Sequence, residues 1–239
     1  MHKYSAILFD LDDTLIDNDE SIKYAIFDIY KTLGIPCNDE TFLRWKQFDI
    51  DYWVDWENGT IDIPKWADLQ HLKIDFLRAN RFVHFFKEFE ISYEEAVKLN
   101  NHYISLLPKN VIPIEGANDL LRELSSEYEI IISTNGPKDA AYEKVRAANL
   151  HPYINVIVAS GECGYSKPMS GFFKYTISKM ETKDRNRMLI VGDSLKTDIL
   201  GGIYNGIDTC WFNPNHKVNT LGMEPNYEID KLKKLVKKL

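Results

Sequence analysis

The chain has 239 residues, 44% hydrophobic and 27% charged, with a formal net charge of −7, enough for one large domain or two modest ones with an ample core. The acidic balance argues against a nucleic-acid polymer as ligand, for want of a phosphate-neutralising surface, and no apolar stretch approaches the ~20 residues of a membrane span. Three widely spaced cysteines, Cys37, Cys163 and Cys210, argue against a disulfide framework or a zinc cluster. The opening MHKYSAILFDLDD has no signal-peptide layout, because its apolar run ends in acids, so a cytoplasmic location is expected.

In chain order, Ala6-Ile-Leu-Phe9 reads as a fully buried strand of the kind found inside parallel sheets. It breaks into Asp10-Leu-Asp12-Asp-Thr14. A strand interior excludes unpaired carboxylates, so two aspartates at its end mark either a ligand site or a surface turn with helix caps. From Leu15 to about Pro108 helical periodicity dominates, over Ile22 through Leu33, Thr41 through Trp56, Trp66 through Phe89 and Tyr93 through Leu107, punctuated by Pro36, Pro64 and Pro108. Aromatic residues crowd this stretch, and at helical spacing they are expected to be core.

Beyond Pro108, strands and helices alternate. A helix over Ala117 to Ser125 precedes a strand at Glu129 to Ser133 and a helix at Lys138 to Ala148. Strands follow at Asn155 to Ala159, Met188 to Val191 and Thr209 to Phe212, with helices near Gly171 to Met180 and Thr197 to Tyr204. This pattern predicts an α/β fold, a Rossmann-like doubly wound parallel sheet with an inserted helical unit. Residues 1–15 and 108–239 form the α/β domain and 16–107 the insert. At the C-terminus, Leu232, Leu235, Val236 and Leu239 fall on one helical face among lysines, which predicts a docked terminal helix.

Each strand stops at a polar group: Asp10 and Asp12, then Thr134-Asn135-Gly136, then Ser166-Lys167-Pro168, then Gly192-Asp193-Ser194 with Asp198 beyond. In a parallel sheet these ends lie along one edge, so distant residues converge. Taken singly, each is also a plausible turn, cap or exposed loop lysine. Taken together they suit phosphoryl transfer. Asp10 and Asp193 are hard oxygen ligands for Mg²⁺. Thr134 offers a hydroxyl on a loop whose backbone N–H groups can hold phosphate oxygens, and Lys167 supplies a compact cation for the equatorial oxygens. Asp12 is placed to exchange a proton with the leaving oxygen. Crowded carboxylates raise one another's pKa, which helps an aspartic acid keep its proton. Asp198 is expected to orient Lys167 or the metal site. The four aspartates carry −4 if ionised and Lys167 restores +1, so a phosphate dianion needs a divalent cation to enter.

The four motifs, in this order and spacing, resemble the haloacid dehalogenase superfamily of phosphohydrolases, with residues 16–107 resembling its helical cap. That resemblance implies Asp10 as nucleophile forming an aspartyl-phosphate, Asp12 as general acid and base, and Thr134, Asn135 and Lys167 as phosphate-binding groups. It implies Mg²⁺ held by Asp10, the backbone carbonyl of Asp12, and Asp193, with Asp198 in support. Asp13 stands where many relatives carry Gly, and Asp tolerates an unusual backbone. The layout and Trp211-Phe-Asn-Pro214 are similar to the pyrimidine 5′-nucleotidase branch. The expected substrate is a small phosphorylated metabolite, a nucleoside monophosphate. Rival readings are a sugar-phosphate phosphatase or phosphomutase, a metal-independent dehalogenase, and an inactive phosphate-binding module.

Overall fold

Strand β1 (Ala6–Phe9) buries all four of its side chains, Ala6 and Leu8 into one core and Ile7 and Phe9 into another. A strand buried on both faces has no polar side to show, which is why its sequence runs apolar without alternation. A computed structural model describes residues 3–68 and 70–239. β1 lies centrally in a six-stranded sheet of order β5-β4-β1-β6-β7-β8. The other strands are β4 (Glu129–Thr134), β5 (Val156–Ala159), β6 (Met188–Gly192), β7 (Asp208–Phe212) and β8 (Tyr227–Ile229), and every pairing is parallel. The α/β expectation holds. Strand order reverses beside β1, since β4 and β5 extend to one side and β6 to β8 to the other. The C-terminal ends at such a switch point leave a crevice where open α/β sheets bind ligands.

A short antiparallel ribbon, β2 (Ile16–Asp17) against β3 (Ile112–Pro113), links the points where the chain leaves and rejoins the sheet unit. The chain divides into two compact units, residues 1–19 with 111–239, and residues 20–110. The helical unit contains most of α1 (Asn18–Thr32), then α2 (Asp39–Glu57), α3 (Gln70–Phe85) and α4 (Tyr93–Leu106), and α5 (Ala117–Leu124) opens the return to the sheet unit. Capping boxes open α2 at Asn38 with Thr41 and α4 at Ser92 with Glu95, each satisfying backbone donors the first turn leaves orphaned. Trp45, Tyr52, Phe76, Phe82 and Phe86 are buried, whereas Trp66 and Phe89 are about half exposed. Trp45 packs edge-on to Phe85 at 4.9 Å and tilted on Phe82 at 5.0 Å, so most rings of this unit are its core.

Three expectations change. The helix expected over 66–89 is α3 flanked by 3-10 turns at Lys65–Ala67 and Lys87–Phe89. β8 extends the sheet by one strand. Its three residues are too few for a periodic signal to emerge. The docked terminal helix is 3-10 over Leu232–Lys238. At three residues per turn, Leu232 and Leu235 share the buried face and Val236 swings outward to 38% exposed. Among the described residues no helix is long and apolar enough to cross a membrane.

These burials order two substitutions. Leu8→Ala, which empties a fully buried site in the central strand, should cost about 2–5 kcal/mol. Val236→Ala should stay within about 0.5 kcal/mol. Urea unfolding of the purified variants, compared through midpoint and slope, checks both.

Candidate active site

The sheet register continues past β1, where the Asp10 N–H donates to Val191 O at 2.9 Å. Asp10 therefore stands at the strand end beside the β6 loop. After Asp10 the chain turns sharply: Asp13 adopts φ 60°, and its N–H donates to Ile16 O at 2.8 Å. The left-handed conformation that Asp tolerates is thus realised at Asp13. Thr14 is fully buried, and its Oγ1 accepts from the Asp193 N–H at 3.1 Å, tying the first loop to the loop after β6. On its other side Asp193 is anchored by Trp211 Nε1, which donates to Asp193 O at 2.8 Å. Trp211, singled out in the sequence as a family signature, here braces a site loop.

Lys167 is 3% exposed and spends its ammonium on three oxygens. Nζ donates to Asp10 Oδ1, Asp198 Oδ1 and Ser133 O, each at 2.6 Å. Burial disfavours its charge, yet Asp10 and Asp198 more than compensate and hold the ammonium above its ordinary range. The loop reading of Lys167 as an exposed lysine does not hold. Asn135 fixes the Lys167 backbone from both sides: the Lys167 N–H donates to Asn135 Oδ1 at 2.8 Å, and Asn135 Nδ2 donates to Lys167 O at 3.0 Å. Its side chain, expected to bind phosphate, here positions the lysine. Thr134 ends β4 buried, its Oγ1 accepting from the Gly136 N–H at 3.0 Å.

Asp10, Asp193 and Asp198 each place a carboxylate oxygen within 4.8 Å of the others. Burial pushes the Asp10 carboxyl well above the usual carboxylate range, against Lys167 and with help from Asp198 and Asp193. Burial, then Asp198 and Asp13, pushes Asp193 up to about 7. Asp198 is fully buried with both oxygens engaged, Oδ1 by Lys167 and Oδ2 by the Ser194 N–H at 3.2 Å. It therefore orients its neighbours. Gly192 makes room for it, since a Cβ there would lie 2.2 Å from Asp198 Oδ2. The remaining oxygen donors, on Asp10 and Asp193, are all carboxylate, which suits a small hard divalent cation that keeps several waters. The residues fit Mg²⁺.

Asp12 departs from expectation. The acids that crowd one another are Asp10, Asp193 and Asp198, whereas Asp12 lies against a cation that the sequence reading missed: Lys144 Nζ donates to Asp12 Oδ1 at 2.6 Å and to Asn18 Oδ1 at 2.9 Å. Lys144 is 3% exposed and sits on α6 (Lys138–Ala147) among buried Ala140, Ala141 and Val145. A charge on the apolar stripe of a helix was the available signal. With two lysines against four aspartates the ionised cluster carries −2, which one divalent cation neutralises.

The sequence profile of the haloacid dehalogenase-like hydrolases matches residues 4–206. The chain belongs to this family. The HAD-hydrolase YfnB of Bacillus subtilis is 31% identical over 98% of this chain and 95% of its own. The pyrimidine 5′-nucleotidase YjjG of Escherichia coli is 30% identical over 98% and 96% respectively. A crystal structure of YfnB bound to magnesium superimposes with a TM-score of 0.87 at 30% identity, covering 100% of this chain and 99% of that one. The resemblance read from the four motifs is thereby borne out, and the chain is a phosphoric monoester hydrolase.

Because a Cβ at Gly192 would overlap the Asp198 carboxylate, Gly192→Ala should displace that carboxylate, loosen Lys167, and lower phosphatase kcat/KM by about 100-fold, the scale of a 1 Å misplacement at a reacting centre. Initial rates with a chromogenic phosphate ester, beside a thermal melt to confirm folding, read the effect.

Proposed function

We propose that the chain is a Mg²⁺-dependent phosphatase that works through an aspartyl-phosphate on Asp10 and takes nucleoside 5′-monophosphates as substrates. The α/β unit is then the phosphatase core and residues 20–110 its cap. The carrying observation is the triple contact of Lys167 Nζ with Asp10, Asp198 and Ser133 O. It aims one Asp10 oxygen at the lysine and leaves the other for phosphorus, beside a carboxylate set that fits a divalent cation. The magnesium bound by YfnB supports the same choice of metal.

On this reading Asp10 attacks phosphorus, the bond to the leaving oxygen breaks, and Asp12 gives that oxygen its proton. Asp12 then takes a proton from water as the water oxygen attacks the acyl phosphate, which frees Asp10 and inorganic phosphate. The Thr134 hydroxyl and its loop hold the non-bridging oxygens, and Lys167, its three hydrogens already committed, offsets the charge that develops beside them. Asp10, the Asp12 carbonyl and Asp193 would hold Mg²⁺, which would supply charge neutralisation at the phosphoryl group.

The strand-end residues deal with phosphate alone. The 30% identity to YjjG, a pyrimidine 5′-nucleotidase, across both units favours a nucleotide. Initial rates across nucleoside and sugar monophosphates test this. Nucleoside monophosphates should be preferred by kcat/KM, and equal rates on sugar phosphates would defeat the nucleotide assignment. A chelator should abolish turnover and added Mg²⁺ restore it. Asp10→Asn should lower kcat by several orders of magnitude; phosphate release unaltered in that variant would remove Asp10 as nucleophile.

A further inference from the structure

The proton-transferring carboxylate of the proposed reaction has two oxygens, and only one can face the leaving group. Asp12 Oδ1 is tied down by Lys144 Nζ at 2.6 Å, and the same ammonium is held from behind by Asn18 Oδ1 at 2.9 Å. Asp12 Oδ2 makes no hydrogen bond or ion pair among the described residues. It lies 3.6 Å from where a Cβ on Gly136 would stand, and Thr134 Oγ1 lies 3.3 Å from that same point. The untethered oxygen therefore shares a space with the hydroxyl at the β4 end. We infer that Lys144 is a positioning residue, which fixes the rotation of the Asp12 carboxyl so that Oδ2, and not Oδ1, carries the proton exchanged with the leaving oxygen and then with water. This rests on the reading of Asp12 as acid and base given above.

The chemistry balances without any proton leaving Lys144. In the first step Oδ1 is the carbonyl-type oxygen that accepts from Lys144, and Oδ2–H donates its proton to the leaving oxygen as the phosphorus–oxygen bond breaks. In the second step the carboxylate Oδ2 takes a proton from water while the new phosphorus–oxygen bond forms and the Asp10 acyl phosphate bond breaks. Lys144 keeps its three hydrogens throughout. It sits two turns into α6, the helix that opens just after Thr134, so one segment of chain supplies both the phosphate-side hydroxyl and the anchor of the acid. The four-carbon stem is buried in the apolar stripe of α6, which leaves the ammonium little freedom to wander.

A lysine serving only stability would affect all substrates alike, whereas one that orients an acid should matter only where a proton must move. The test compares Lys144→Met with the unaltered enzyme in single-turnover reactions with Mg²⁺. Uridine 5′-monophosphate has an alcohol leaving group that needs protonation; p-nitrophenyl phosphate has an activated phenol that leaves without it. Nucleoside release should slow by about 100-fold with KM little changed, while the burst of p-nitrophenol should keep its rate within a few-fold. Lys144→Arg, which still donates to Oδ1, should recover part of the loss. Should the methionine variant fold poorly, Asn18→Ala, which frees the ammonium from behind, should show the same selective slowing to a smaller degree. Equal slowing of both substrates, or none of either, overturns the assignment of Lys144. If the unaltered enzyme hydrolyses neither ester, the phosphatase reading itself fails and not this refinement of it.

Discussion

A single ammonium buried at the edge of the sheet organises the polar groups gathered at the strand ends. Lys167 is nearly inaccessible, and all three of its hydrogens point at oxygens drawn from three strand ends, Asp10 after β1, Ser133 O in β4 and Asp198 beyond β6. A buried charge is tolerated only when such partners surround it, and removing one partner of a buried pair costs about 3–5 kcal/mol. The lysine thus obliges the loops to meet, and the loops in turn hold Asp10 in one orientation.

The supporting hydrogen bonds are of two kinds. Backbone-directed bonds set loop positions: Thr14 receives the Asp193 N–H, Trp211 donates to Asp193 O, and Asn135 clasps the Lys167 peptide from both directions. Charge-directed bonds set carboxylate orientations: Lys167 on Asp10 and Asp198, and Lys144 on Asp12. Together they leave Asp10 and Asp193 with oxygens to share and an excess of negative charge. On the proposed function, a site assembled in this way is pre-organised for a divalent cation and a phosphate dianion, with reorganisation already met in folding.

The helical unit follows a different logic. Its rings largely pack on one another, Trp45 against Phe48, Phe82 and Phe85, because a small layer of helices needs large side chains to fill its interior. Buried Arg81 pairs with Asp49 at 2.7 Å and lies 5.1 Å over the Tyr103 ring, so even this interior cation is spoken for. The rules that fix the sheet edge are electrostatic, and those that build this unit are volumetric.

Much of this was legible before any coordinates. An apolar run that stops at two aspartates, two later strands that stop at Thr134 and Asp193, and a loop after a third that carries Lys167 determine that a polar site sits on one edge of a parallel sheet, since burial on both faces disfavours charges in the strand interiors. What the chain order could not state is which oxygen meets which cation. The contact of Lys167 with Asp10 spans 157 positions and that of Lys144 with Asp12 spans 132. Lys144 stood on the apolar stripe of α6 with no partner in view, and Asn135 was expected to meet phosphate and not the lysine peptide. Only the strand order, which sets β1 between β4 and β6, brought these groups within 3 Å of their partners. Side-chain periodicity reports which face a residue occupies, and the choice of partner across a sheet is made by the packing of whole elements.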